Sequence, residues 1–321
     1  MIDFRYHLVS IVAIFLALTV GIVLGSTVLQ EPLIKSAEET TAQLRKSNED
    51  YRQENTGLRQ REAGYDAFVT ATSPRLLSGM LAGEQVVVVE APGADAGTRE
   101  PVTEMLTTAG ATVTGWLTLT DKYLAAEQAG LVDQLATTLK PASITFAEQA
   151  TPYDKAAVVL AGALVTREPA EAGKKDATAA GVLAAFADAG LLNLDQEPEQ
   201  RATSAIVIAP ASVYEGRTAE ARTGAVVSLA QALDDTGRGT VVTGTIDAAG
   251  TGGVLTAIRD NGDVAGKVST VDTLDMTAGR ASLVYALREQ LDGGSGQYGI
   301  GPAAASFLPT ATPTPSPTSG G

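Results

Sequence analysis

The chain of 321 residues contains no cysteine and a single histidine, His7. Without thiols it has no disulfides, thiolate metal sites or cysteine nucleophiles. Because its one histidine lies near the amino terminus, we expect neither a Ser-His-Asp triad nor a zinc-hydrolase site in the rest of the chain. Basic side chains are also few, since 23 Lys and Arg stand against 37 Asp and Glu and give a net charge of −14. Such a surface repels nucleic acid, so we expect no nucleic-acid partner.

Nucleotide-binding motifs are missing as well. The loop 91–97 (APGADAG) follows a predicted strand, but it contains neither G-x-G-x-x-G nor G-K-[ST], and the glycine-rich loop 250–253 lacks both motifs too. We predict ordinary turns at both loops, with a degenerate nucleotide-binding enzyme as the alternative. Carboxylates are plentiful, but the sequence pairs no two of them across a cleft. The chain is therefore predicted not to be an enzyme.

One long apolar run stands out. Residues 8–29 read LVSIVAIFLALTVGIVLGSTVL and carry no charge. A helix of this length spans roughly 33 Å, enough to cross a hydrocarbon core of about 30 Å. We predict an uncleaved transmembrane helix at 8–29 after a cytoplasmic segment 1–7, since no A-x-A-like cleavage site follows. A cleaved signal sequence and a buried core helix are the alternatives.

Charge counting does not orient this helix, because Arg5 and the terminal amine on one side face only Lys35, Arg45 and Lys46 on the other. The final stretch, 309–321 (PTATPTPSPTSGG), has the Pro/Thr/Ser composition of disordered envelope tails. We therefore predict a single-pass protein of the cell membrane with the bulk of the chain outside the cytoplasm, ending in a disordered tail at 304–321.

Heptad spacing follows the apolar run. Residues 34–69 place mostly apolar side chains seven residues apart at d positions, with asparagine at two successive a positions. The d positions are Ala37, Leu44, Tyr51, Leu58 and Tyr65, and the two asparagines are Asn48 and Asn55. Asparagine at a positions fixes register and favours two strands. The pattern predicts a coiled-coil homodimer, with a single solvated helical stalk as the alternative.

Short β-branched or apolar runs alternate with helix-length segments in the rest of the chain. The predicted strands are 85–90, 112–119, 143–146, 156–160, 205–209, 240–245 and 267–271. Runs such as VVVV at 86–89 are typical of strands buried on both faces of a parallel sheet. The alternation predicts an α/β domain at 80–303, Rossmann-like and three-layered, with a mostly parallel sheet.

Two stretches carry a family resemblance: MIDFRYHLVSIVAIFLALTVGIVLGS at 1–26 and KVSTVDTLDMTAGRASLVYALREQLDGGSGQYGIG at 267–301. They resemble the actinobacterial MctB copper transporter family, also described as a copper transport outer membrane protein family. The resemblance implies a membrane-anchored envelope protein with a role in copper homeostasis or efflux, and an outer envelope layer as a possible location. Some relatives look tied to envelope assembly or cell separation. The resemblance covers Asp272, Gly279, Tyr298 and Gly299 without assigning them a role.

The side chains themselves offer little to copper. Copper sites use thiolate, thioether or imidazole ligands, and here Met80, Met105 and Met276 are scattered along the chain after the apolar run. We predict no metal or cofactor site, so copper is implied by the resemblance alone. One spanning helix cannot enclose a pore, and two hypotheses follow. The first is a coiled-coil dimer that binds another envelope protein, and the second is a component of a copper-efflux channel.

Two signature residues allow more than one interpretation from sequence. Asp272 follows a predicted strand, where carboxylates of open α/β sheets face ligands. The plainer interpretation is a helix cap or turn. Tyr298 lies in a tail that either folds back on the domain or forms part of a partner surface.

Overall fold

A computed structural model describes residues 4–142, 144–196, 198 and 200–310, without the side chains of 26–34, 36 and 37. The chain divides into two compact units, Met1–Tyr65 and Asp66–Gly321. The helices are α1 (Phe4–Leu77), α2 (Arg99–Thr108), α3 (Ala129–Leu139), α4 (Pro152–Leu164), α5 (Ala177–Asp188), α6 (Ala219–Thr236), α7 (Val254–Asp260), α8 (Gly262–Ala265) and α9 (Thr277–Leu291). The strands are β1 (Gln85–Glu90), β2 (Thr112–Leu119), β3 (Leu192–Gln196), β4 (Ser204–Ile208), β5 (Thr240–Thr243), β6 (Ser269–Val271) and β7 (Gln297–Tyr298).

The beginning of α1 is long and apolar enough to cross a membrane. The candidate span is Phe4–Gly25, with a mean hydropathy of 2.8 and none of it buried. It starts before the predicted span at 8–29 and includes His7. The side chains of 26–29, the last four residues of the predicted span, lie outside the described residues.

The heptad segment is helical throughout, as predicted. Its described d positions are exposed: Leu44 by 65%, Tyr51 by 69%, Leu58 by 51% and Tyr65 by 71%. Asn48 and Asn55 are exposed as well, and the side chain of Ala37 lies outside the described residues. Large apolar groups are thus left facing solvent at regular intervals, and the coiled coil stays a prediction.

The second unit contains a mostly parallel sheet of seven strands in the order β3-β2-β1-β4-β5-β6-β7. Its neighbouring strands run parallel except β2 and β3, which are antiparallel. The predicted α/β class with a mostly parallel sheet is confirmed. The order of the first six strands is that of doubly wound dinucleotide-binding sheets, although the antiparallel β3 departs from them.

Helices cover both faces of this sheet. Successive residues of β1 point to opposite sides, so Val87 and Val89 join the core formed with α3–α7, whereas Val86 and Val88 join the core formed with α2 and α9. Leu77, the last residue of α1, is only 1% exposed in that second core. The end of α1 therefore belongs to the folded domain.

One predicted strand is wrong, because 156–160 lies inside α4. The helix is specified by its start: Thr151 and Asp154 form a capping box, and Pro152 occupies the first turn. Residues 144–146 of the predicted strand 143–146 form no strand, and Ser143 lies outside the described residues.

Strands β3 and β7 were not predicted. Strand β3 is a polar sheet edge, LNLDQ, and β7 has two residues, so neither shows the apolar run typical of a buried strand. Residues 304–310 of the predicted tail also belong to the fold, because Ser306 pairs with Tyr298 and Ser282 Oγ donates to the Phe307 carbonyl at 2.9 Å. Residues 311–321 lie outside the described residues.

Candidate functional site

The signature residues meet at the carboxyl end of β6. Asp272 Oδ2 accepts from Arg259 Nη1 at 2.8 Å, and both side chains are buried. The same carboxylate accepts from the Ile300 and Gly301 backbone N–H groups at 2.8 and 3.0 Å. Both oxygens therefore accept hydrogen bonds from the protein itself, and Asp272 holds the 299–302 loop.

Arg259 completes this clamp from α7. Its Nη2 donates to the Tyr298 carbonyl at 2.9 Å and its Nη1 to the Pro302 carbonyl at 2.8 Å, while Nε donates to Thr270 Oγ1 at 2.9 Å. A buried ion pair is tolerated when further hydrogen bonds satisfy both groups. The clamp thus fixes the 299–302 loop against β6 and α7.

Two glycines make these contacts possible. Gly299 has φ +129, and a Cβ there would lie 1.8 Å from Asp272 Oδ1. A Cβ on Gly279 would lie 1.7 Å from the Thr273 carbonyl oxygen. The first turn of α9 thus packs directly on backbone. Asp272 does not cap α9, because Met276 is its N-cap residue.

Tyr298 folds back into the core, which settles the alternative left by the sequence. Its side chain is only 5% exposed and lies in the core formed with α2 and α9. Its hydroxyl donates to the Glu289 carboxylate. Burial, together with that carboxylate, raises the pKa of the Tyr298 hydroxyl above its usual value. The hydroxyl therefore stays protonated as a hydrogen-bond donor at neutral pH.

The crevice between β1 and β4 is where open sheets of this order bind ligands. Here the loops that follow the two strands bond to each other, since Ala211 N donates to the Gly93 carbonyl at 2.8 Å. Tyr214 reinforces this closure by donating from its hydroxyl to the Pro92 carbonyl at 2.9 Å. Asp95 accepts from Gly97 N at 2.9 Å, which places a carboxylate where a phosphate would bind.

An ionic network lies at the carboxyl end of β1, on the side that faces β2 and not β4. Glu90, the buried last residue of β1, accepts from Arg99 Nε at 2.9 Å, and Arg99 Nη2 also donates to Asp195 at 2.9 Å. The guanidinium lies 5.7 Å from the Trp116 ring centroid. These contacts raise the pKa of Arg99, chiefly through Glu90. A glutamate ending an apolar strand was the signal that sequence reasoning missed.

An apolar groove runs between the end of α1 and α9, entirely within the second unit. We call this cavity of about 800 Å³ the α1–α9 groove. Its lining includes Phe68, Thr72, Leu76, Ala281, Tyr285, Phe307 and Leu308. Phe68 is 67% exposed and Leu76 is 59% exposed. Exposed apolar patches of this kind mark interaction sites.

The described methionines belong to different segments of the second unit. Met105 of α2 is buried in the core formed with α2 and α9, and Met80 packs against that core. Met276 precedes α9. His7 is exposed on α1. Within the described residues, no group of three or more His, Asp or Glu side chains could hold a metal ion.

These features define the class of protein. An apolar helix long enough to span a membrane precedes an α/β domain, and that domain exposes an apolar groove. The chain belongs to the family described as "Copper transport outer membrane protein, MctB", whose model matches residues 1–309. The predicted family is thus confirmed.

Curated mycobacterial relatives named "Copper transporter MctB" are similar over most of the chain. The Mycobacterium leprae protein is 29% identical over 315 residues, which is 96% of this chain and 99% of the relative. The Mycobacterium tuberculosis and Mycobacterium bovis proteins are 28% identical over 247 residues, or 76% of this chain and 78% of each relative.

Proposed function

We propose that this chain is a single-pass, membrane-anchored envelope protein that acts in copper homeostasis or efflux. The observation that carries this proposal is the family match over residues 1–309, which includes the apolar helix at Phe4–Gly25. The relatives' name supplies the cargo, copper. In this proposal copper is cargo of an assembly and not a resident cofactor, and the chain is not an enzyme.

The protein works by assembly with neighbours. One spanning helix cannot enclose a conduction path, and Met80, Met105 and Met276 are scattered along the sequence. We infer a homodimer through the α1 seam, in which Leu44, Tyr51, Leu58 and Tyr65 pack as d layers. A further envelope protein completes the copper-handling assembly.

The seam is tested by crosslinking in cells. A variant with Leu44→Asp and Leu58→Asp places charge in two of the d layers, and we expect it to lose the crosslinked dimer. The control is Gln53→Asp with Gln60→Asp, which adds the same negative charge at exposed f positions, on the side of the helix opposite the seam. Equal dimer yields in the seam variant and the unmodified chain would reject the seam.

Copper handling is tested by deletion. Cells without the protein are expected to change their cell-associated copper, and the unmodified chain is expected to restore it where the seam variant does not. Restoration by the seam variant would separate copper handling from dimerisation. Unchanged copper in the deletion strain would remove the copper role.

A second candidate is a non-transport scaffold in cell-envelope assembly or cell separation. The scattered metal ligands and the exposed α1–α9 groove favour it, because both suit protein contacts better than ion binding. Unchanged copper together with a wall or division defect in the deletion strain would establish this candidate in place of the first.

The proposed topology places residues after the span outside the cytoplasm. Protease added to intact cells, or to spheroplasts where an outer layer shields the protein, is then expected to degrade the α/β domain. Protection of that domain in spheroplasts, with degradation only after lysis, would reverse the orientation. Release of the chain from membranes by a carbonate wash would rule out a membrane anchor.

A further inference from the structure

We propose that the α1–α9 groove binds a second copy of this chain, so that the end of α1 from each protomer packs in the groove of the other. This inference deepens the proposed dimer and rests on it. Its consequence is that the folded domains pair directly, and not only through the stalk.

Heptad register supports this occupant. Continuing the spacing beyond Tyr65 at d places Val69 at a, Thr72 at d and Leu76 at a, without insertion or deletion. All three line the α1–α9 groove. The heptad register of the seam therefore continues into residues that line the groove.

Burial divides this end of α1 into two faces. Ser73 and Leu77 are only 4% and 1% exposed, so one face packs on the domain of its own protomer. Phe68 and Leu76 are 67% and 59% exposed. The second face carries large apolar side chains that the single chain leaves in contact with water, and burying them favours association.

The opposite wall of the groove suits a helix. Ala278 and Ala281 present small side chains from α9 beside Tyr285, which lets a second helix approach closely while one ring packs against it. In a two-fold dimer the same surface both gives and receives contacts. Each protomer supplies one α1 end and one groove, so the arrangement closes at two copies.

The stalk seam also needs such a supplement. Its a positions include Asn48, Asn55 and Glu62, which weaken a coiled coil while fixing register. The groove adds apolar positions Val69 and Leu76 at the end of the same helix. In the proposed dimer these positions add apolar contact beyond the stalk.

The absence of native cysteine permits a direct test. Single variants Leu44→Cys, Leu76→Cys and Ala67→Cys of the full chain are purified in detergent micelles and treated with a short bismaleimide. Ala67 is an exposed f position, on the side of the helix opposite the seam. We expect covalent dimer from Leu44→Cys and Leu76→Cys, each several-fold above Ala67→Cys. Both cysteines replace side chains exposed in the single chain, so the fold is retained.

The outcomes separate the two proposals. A dimer from Leu44→Cys without one from Leu76→Cys overturns the groove inference and leaves the stalk dimer standing. A dimer from Leu76→Cys without one from Leu44→Cys rejects the stalk seam. Because Leu76 is itself an a position, the groove is supported only if Ala278→Asp on α9 lowers the Leu76→Cys yield, and an unchanged yield overturns the inference. No dimer from either variant, or an equal yield from Ala67→Cys, overturns both. In cells, a bond from Leu76→Cys to a different polypeptide with no dimer would assign the groove to another protein and overturn the inference.

Discussion

Two regions next to α9 use their side chains in opposite ways. The clamp of Asp272 and Arg259 buries opposite charges and satisfies them with neighbouring backbone. The α1–α9 groove leaves Phe68 and Leu76 exposed. Substitutions of the family-signature residues in the clamp are therefore expected to change the stability of the fold. Substitutions of the exposed apolar residues of the groove are expected to change assembly.

The largest expected effect comes from breaking the clamp. Asp272→Ala leaves the Arg259 guanidinium buried without its counter-charge, and breaking a buried pair in this way costs about 3–5 kcal/mol. Thermal unfolding of the full chain in detergent would show it as a large fall in Tm. The control Asp292→Ala removes the exposed i,i+4 pair with Arg288, which is worth about 0.5 kcal/mol. Similar Tm values for the two variants would contradict the assignment of Asp272 to stability.

Adjacent leucines sharpen the comparison. Leu77→Ala removes a side chain that is 1% exposed and is expected to cost about 2–5 kcal/mol. Leu76→Ala, one residue earlier and 59% exposed, is expected to change the stability of the monomer by about 0.5 kcal/mol or less. Unfolding is measured at a concentration where the chain is monomeric. A costly Leu76→Ala under those conditions would mean that the groove is part of the core.

A pair of glycines gives effects of opposite sign. Gly279→Ala drives a Cβ into the Thr273 carbonyl and is expected to destabilise by about 1–3 kcal/mol. Gly224→Ala lies in the interior of α6 with nothing within 4 Å of the new Cβ. It is expected to stabilise by up to about 1 kcal/mol through helix propensity. Urea unfolding of both variants checks the signs, and stabilisation by Gly279→Ala would refute the close packing.

Local patterns explain which parts of this fold were predictable. Strand β1 was predicted because VVVV is apolar on both faces. The interpretation of 156–160 as a strand failed because its apolar run has the composition of a buried strand. The deciding signal was the capping box at Thr151, upstream of that run.

Neither the clamp nor the groove could be predicted from local sequence patterns, because both depend on tertiary contacts. The partners of Asp272 are Arg259 and the 300–301 backbone, and this meeting depends on the order of β5, β6 and β7 in the sheet. The exposure of Leu76 beside the buried Leu77 depends on which side of α1 meets the domain. Heptad spacing predicted a coiled-coil seam within 34–69, which stays a prediction, but not a groove beside α9.

The smallest expected effect concerns a carboxylate less well compensated than Asp272. Asp234 is half-buried in the last turn of α6, where burial, followed by repulsion from Asp235, raises its pKa to about 6. Because this folded pKa lies above the unfolded value, the contribution of Asp234 to stability is fully present below about pH 4 and is lost as the pH rises through about 6. Above that range Asp234→Asn is expected to stabilise by about 1 kcal/mol after solvent screening, and at pH 4 it is expected to change little. Unfolding at pH 4, 5, 6 and 7.5 with Asp188→Asn, at the exposed end of α5, as the control checks this. A benefit that does not grow with pH would show that the charge of Asp234 is already compensated.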